Sequence, residues 1–365
     1  MALTTFNSIN LNVGLLGTLN DVNAGLLNGS LVNVDGTLLR RSPDGTSTPL
    51  SLNGTAGTGT NANDVLNGLP NVANLLFGLA GQDTLNGGSG ADGLNGGDGN
   101  DSLSGNGGDD AIQGGEGNDT ANGGDGNDTI FGNAGDDIVQ GSNGNDVVSG
   151  GQGNDRVDYG GFSGNQLVYG DLGDDTLLTG SGNDTIFGGE GRDMIDGRGG
   201  DDLIAGNIGA DVIVGTLGRD TVFGGQDADR IDYSGSADAT LLFGNLGDDV
   251  VLGGSGSDTI FGGQGADTIN GGGGADVIIG NLGDDLLTGS TGADLFVFAP
   301  NGGLNSGADV ITDFDGNGGD RISLRGQGFT LASNGNGEAV VNIDGGGSIL
   351  LQNVAAGGVQ GAWFV

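Results

Sequence analysis

The sequence predicts an all-β solenoid of short repeated turns with a distinct segment at each end. Three observations predict it. An aspartate recurs every nine residues over long tracts, an apolar residue follows each aspartate two positions later, and glycine, 87 of 365 residues, clusters three to five positions before it. An internal period of this kind overrides the two-domain expectation that length alone suggests. Glycine at such abundance would suggest disorder if it were aperiodic. With a period, it implies a chain of turns.

The period is plainest across Asp83, Asp92, Asp101, Asp110, Asp119, Asp128, Asp137, Asp146 and Asp155. A step of 20 then leads to Asp175, Asp184, Asp193, Asp202, Asp211, Asp220 and Asp229. A second step of 20 leads to Asp249, Asp258, Asp267, Asp276, Asp285 and Asp294. The apolar partner persists from Leu85, Leu94 and Leu103 through Ile186, Ile195 and Ile204 to Leu287 and Phe296. The tract Gly114–Asn122 reads GGEGNDTAN and the next nine residues GGDGNDTIF, so the unit is G-G-x-G-x-D-x-U-x with U apolar. A strand of three residues points one side chain inward, and U is that residue. The other six residues must turn the chain back, and glycine allows the φ > 0 conformations this needs. Such turns expose backbone carbonyls. Calcium is a hard cation that takes six to eight oxygens from carbonyls and carboxylates. One turn cannot supply that many; two stacked turns can.

This unit resembles the calcium-binding nonapeptide of the RTX (repeats-in-toxin) family. The resemblance implies a right-handed parallel β-roll in which two nonapeptides make a coil. It also implies calcium between successive turns on one edge, with the 22 aspartates named above as ligands. About thirteen coils at ~4.8 Å each would extend about 60 Å. Counted over both edges, roughly nineteen calcium ions would bring about +38, against a formal charge of −39.

The chain divides into residues 1–56, a roll over 57–298, and 299–365. The first segment is rich in Leu, Asn, Val and Thr, with partial alternation at Ile9, Leu11 and Val13 and later at Leu31, Val32 and Val34. It reads as short strands and turns that cap the first coil or join a neighbouring subunit. The repeat opens at a degenerate turn ending in Asp64, and the step from there to Asp83 is 19. The three long steps each hide one half-turn without its glycine–aspartate signature and end in similar tails, ANLLFGLAGQD, NQLVYGDLGDD and ATLLFGNLGDD. Counting half-turns, all three fall on the same edge, which is expected to form a lateral contact near Phe162. From Phe296 the pattern changes, and the tract DVITDFDGNGGDRISL resembles the C-terminal region of serralysin-type and other type I-secreted RTX proteins. The resemblance implies a cap and an uncleaved export signal that engages type I secretion machinery. Ser323 stands where those tracts often carry an acidic residue, which leaves a ligand role there open.

Composition excludes several functions. Without histidine there is neither an H-E-x-x-H zinc site nor a Ser-His-Asp triad. Cysteine is absent, so there is no disulfide or thiolate metal site. Nine Lys and Arg leave no nucleic-acid footprint, and no apolar run approaches a membrane span. The start, MALTTFNSINLNV, lacks the basic and apolar regions of a signal peptide. Tyr159, Tyr169, Tyr233 and Trp363 are too few for a carbohydrate platform. The expected protein is non-enzymatic and secreted to the extracellular space or cell surface. It folds on calcium and self-associates into a layer, filament or matrix. The alternative is an adhesin, or the calcium-binding accessory module of an exported hydrolase or toxin.

Overall fold

The computed structural model describes residues 56–298, 307–344 and 346–365, together with five strands nearer the N-terminus. It divides into two compact units, Met1–Val147 and Val148–Val365. Among the described residues the only helices are two 3-10 turns near the C-terminus, Ala356–Gly358 and Gly361–Trp363.

In the first unit the chain winds between two parallel sheets. One contains Leu75–Ala80, Gly93–Asp98, Ala111–Glu116 and Thr129–Ala134; the other contains Thr84–Gly88, Ser102–Gly107, Thr120–Asp125 and Ile138–Gln140. Strands pair in register with those two half-turns away, so the U residues stack in two inward columns. Leu76, Leu94, Ile112 and Ile130 form one column, and Leu85, Leu103, Ala121 and Val139 the other. All eight are buried. The residues on either side of U alternate to the other face, as the two-residue period of a strand requires, although Leu75 and Phe77 beside Leu76 are also covered.

The second unit repeats this plan. Val168, Ile186, Ile204, Val222, Leu242, Ile260, Ile278 and Phe296 make one column. Val157, Leu177, Ile195, Ile213, Ile231, Val251, Ile269 and Leu287 make the other. The architecture is a parallel β-roll, as expected. Because each strand contributes one inward side chain, the core is two columns wide and gains stability by repetition.

The ends are built differently. Ile9–Leu11 pairs antiparallel with Leu19–Val22, and Leu31–Val34, Thr37–Arg41 and Ser47–Pro49 form an antiparallel meander. Val13 and any capping or assembly contact made by residues 1–55 lie outside the described residues. At the other end the roll does not stop at position 298. Ala308–Ile311 and Arg321–Ser323 add one more strand to each parallel sheet, and then Phe329–Ser333, Glu338–Ile343 and Ser348–Ala355 turn antiparallel. The extra strands follow spacings of 24 and 26 residues, which conceal them from a nine-residue count. Phe314 packs between Phe296 and the Trp363 indole. Ser323 donates its hydroxyl to the Val365 carbonyl at 3.2 Å, which ties down the last residue and gives the side chain a structural role.

Truncating a central member of one column leaves a void flanked by neighbours fixed by their own ladders. Ile213→Ala should therefore cost about 2–5 kcal/mol, read as a lower denaturant midpoint at saturating calcium. The half-buried outward residue Thr185, changed to Ala, should move the midpoint far less.

Candidate calcium-binding turns

Each turn delivers its aspartate to the interior beside the strand that follows. All 22 aspartates predicted as ligands are buried, none more than 4 % exposed. Within each unit they stack in two columns. In the second unit Asp155, Asp175, Asp193, Asp211, Asp229, Asp249, Asp267 and Asp285 form an unbroken column. Asp184, Asp202 and Asp220 form part of the other, which continues after a break at Asp258, Asp276 and Asp294. In the first unit Asp83, Asp101, Asp119 and Asp137 stack below Asp64, and Asp92, Asp110, Asp128 and Asp146 stack below Asn74.

The aspartate-less half-turns end in Asn74, Gln166 and Thr240. Gln166 and Thr240 belong to the same column of the second unit, as the half-turn count predicts. Asn74 heads a column of the first unit.

The two oxygens of each carboxylate have different surroundings. Oδ1 accepts the backbone N–H of the aspartate one coil earlier, at 2.8 Å from Asp193 to Asp211 and 2.9 Å from Asp175 to Asp193. Oδ2 of Asp83, Asp119, Asp193, Asp211, Asp229, Asp249 and Asp267 is buried without a hydrogen-bond partner. It faces the turn glycine five residues earlier and the carbonyl of the equivalent glycine one coil later. A Cβ placed on Gly188 would overlap Asp193 Oδ2 and lie 2.7 Å from the Gly206 carbonyl oxygen; one on Gly224 would overlap Asp229 Oδ2 and lie 2.7 Å from that of Gly244. Carboxylate and carbonyl oxygens from two stacked turns thus converge with no donor between them. A buried, uncompensated cluster of acceptors costs several kcal/mol, and a hard divalent cation is the partner that suits an all-oxygen donor set. Among the described residues no three carboxylates converge, so a cation here draws most of its oxygens from the backbone.

Burial also acts on protonation. Desolvation pushes Asp229 and Asp202 up to about 8 and Asp211 and Asp267 to about 7. The N–H from the preceding coil opposes this, and repulsion from stacked aspartates, Asp211 and Asp249 around Asp229, adds to it. Asp193 rises to about 6 for the same first reason. Without a cation, burial favours the protonated form of these carboxyls more than water does.

A second ladder runs beside the first. The Asn or Asp immediately before the aspartate accepts the N–H of its counterpart one coil later, as from Asn118 to Asn100, Asp201 to Asn183 and Arg219 to Asp201. This accounts for the recurring G-N-D. Sequence reasoning also passed over Asp309 and Asp320. Both are buried, and their Oδ1 atoms accept N–H groups from Asp285 and Asp294. Each is followed two residues later by an inward apolar residue, Ile311 and Ile322, and that D-x-U pattern was the available signal.

The fold and the acceptor-lined turns define a class: a β-roll whose coils are joined by calcium. The family model of the RTX calcium-binding nonapeptide repeat matches overlapping segments that cover residues 72–165 and 169–296. The chain therefore belongs to the RTX calcium-binding repeat family, and its repeats bind calcium. No curated protein matches it.

Two outcomes follow from this geometry. Asp193→Ala removes a ligand oxygen and the acceptor for the Asp175 N–H, so it should raise the calcium midpoint of folding. Asp174→Asn, at an exposed position that keeps its Oδ1 ladder acceptor, should shift it little; titration followed by circular dichroism compares them. The pH dependence has a definite sign. These groups have folded values raised above the ordinary 3.8, so in chelator their contribution to stability is complete below about pH 4 and is lost as pH rises through about 6–8. In chelator, circular dichroism should therefore show more β-structure at pH 4.5 than at pH 8, where the chain is disordered. With calcium the trend reverses, because binding requires ionised carboxyls and releases their protons.

Proposed function

We propose that this chain is a secreted, non-catalytic structural or surface protein that folds on meeting calcium outside the cell and then self-associates. One observation carries the reading: buried aspartate oxygens and glycine carbonyls converge in stack after stack without a donor of the chain's own. With 48 acidic and nine basic residues, the chain repels itself where calcium is scarce, and this disfavours the compact state. Where calcium is abundant, the ion binds the folded form alone and stabilises it by mass action. A chain kept open in this way suits export through a narrow channel, and the C-terminal tract's resemblance to type I-secreted RTX proteins supports that route. Among the described residues no helix is long and apolar enough to cross a membrane.

Self-association is supported by an apolar strip on the outward face of the second unit. Tyr169 stacks on Phe187 at 5.2 Å, and Phe223, Phe243 and Phe261 stack at 4.8 and 4.7 Å. Beside them Leu172, Ile208 and Leu246 are more than 40 % exposed. A second copy of the chain would cover the strip with an identical one. Tyr159 and Tyr233 are fully buried, so they do not extend the aromatic surface.

Circular dichroism and light scattering of the purified chain test both steps. Chelator should give a disordered, monomeric chain, and millimolar calcium a β-rich one that scatters more strongly over time. Phe243→Ser should retain the calcium-induced fold and lose most of the scattering. A folded spectrum in excess chelator, unchanged by calcium, would overturn the folding step. A calcium-folded chain that stays monomeric would point to the adhesin or accessory role.

A further inference from the structure

Most repeat turns carry glycine where a side chain would fill the space between Oδ2 and the next carbonyl. Among the described residues, the turns at Asn74, Asp184 and Asp220 instead place side-chain atoms there. In the first unit Asn74 stands at an aspartate position. Its Nδ2 lies within hydrogen-bond distance of the carbonyl oxygens of Val72 at 2.9 Å, Leu69 at 3.0 Å and Gly87 at 3.4 Å and of Asp92 Oδ1 at 2.9 Å, and its two hydrogens serve two of these four acceptors at a time. A Cβ on Gly68 would meet this nitrogen at 2.6 Å along with the Gly87 carbonyl. The spot that elsewhere holds a carboxylate oxygen thus holds an amide donor, and the carbonyls that would face a cation face N–H groups.

In the second unit Thr179 replaces the turn glycine five residues before Asp184. It is fully buried, and its hydroxyl donates to the Gly197 carbonyl at 3.1 Å, while Asp184 Oδ2 keeps no partner, so the side chain's volume and its donor to the carbonyl are what occupy the space. That carbonyl is the counterpart of the Gly206 and Gly224 carbonyls that border the acceptor clusters. Three coils beyond Thr179, Tyr233 directly follows its strand, as Gly215 does one coil earlier. Its ring lies across Gly215, where a Cβ would approach Oη at 2.6 Å, and its hydroxyl faces Asp220. A phenol ring fills a volume that the other turns leave to two oxygens.

We propose that Asn74, Thr179 and Tyr233 each take the place of a calcium ion, so that these three turns close with donors or volume from the chain itself. The inference rests on the calcium reading of the remaining turns. Its consequences are that the aspartate count overstates the ions bound and that the Asp184 turn, despite its aspartate, binds none. It also places ion-independent staples inside an otherwise ion-dependent roll, two of them flanking Asp202.

Native mass spectrometry of the full chain, which resolves calcium ions one by one, tests this. Asn74→Asp restores the carboxylate, and Thr179→Gly restores the space. Each should bind about one more ion per chain than the unmodified protein, as each acceptor cluster suits a single cation. Thr179→Ser keeps the hydroxyl and should bind the same number as the parent. If Asn74→Asp and Thr179→Gly fold in calcium yet gain no ion, or if Thr179→Ser gains as Thr179→Gly does, the proposal is wrong. A parent chain that binds no calcium would instead defeat the reading beneath it. Amide exchange of the unmodified chain gives a readout independent of variant folding. As calcium is lowered, Leu69–Asn74 and Thr179–Asp184 should keep protection longer than Gly206–Asp211, and the opposite order would overturn the proposal.

Discussion

The structure depends on one electrostatic constraint: carboxylates stacked a coil apart, out of water, with their second oxygens aimed at carbonyls. Hydrocarbon alone cannot hold such an arrangement. Each coil buries two U side chains, and aromatics make up 5 % of the chain, so the core of any one coil is thin. Domains with little core commonly need a staple, and with neither cysteine nor histidine this chain has no disulfide and no thiolate or imidazole metal site to serve as one. A hard cation accepts both carboxylate and carbonyl oxygens and offsets the formal charge as it does so. Local turn closure, coil-to-coil adhesion and charge balance therefore rest on one kind of contact.

The division of labour between the two carboxylate oxygens explains how the same residue sets register and binds. Oδ1 is committed to the N–H of the preceding coil, which orients the side chain whether or not an ion is present. Oδ2 is left for the ion. The Asn or Asp just before it repeats the register contact at the rim, where the side chains are exposed. Glycine at the cradle follows from the same geometry, because a Cβ at Gly188 or Gly224 would intrude between the oxygens that must face each other.

The nine-residue spacing made the roll, its inward residues and the parity of its turns readable, because each follows from counting. The D-x-U pairing located Asp193 or Ile213 to the residue. What counting could not reach were positions where the count itself shifts or a letter changes its chemistry. Asp309 and Asp320 sit behind insertions of unequal length, so the nine-residue period breaks before they arrive. Thr179 looks like tolerated drift from glycine until its hydroxyl is seen on the Gly197 carbonyl. Asn74 differs from aspartate by one atom, and its effect depends on which atom faces the carbonyls. The Ser323 hydroxyl donates to Val365, 42 residues away in sequence, a contact that no local pattern announces.

The unequal spacings also bear on how such a chain can change length. Along the columns the step is 18 residues in ordinary coils and 19, 20, 24 or 26 where a turn is enlarged. All the surplus lies in turns, because one added residue within a strand would send every following U side chain to the outside. Length is therefore quantised. Duplication or loss of one whole coil keeps both columns in phase. An odd nonapeptide would exchange them, so that every downstream Tyr, Thr or Gln substitution would change edges. The roll can be lengthened like a ruler marked in coils, and half a mark is not a neutral step.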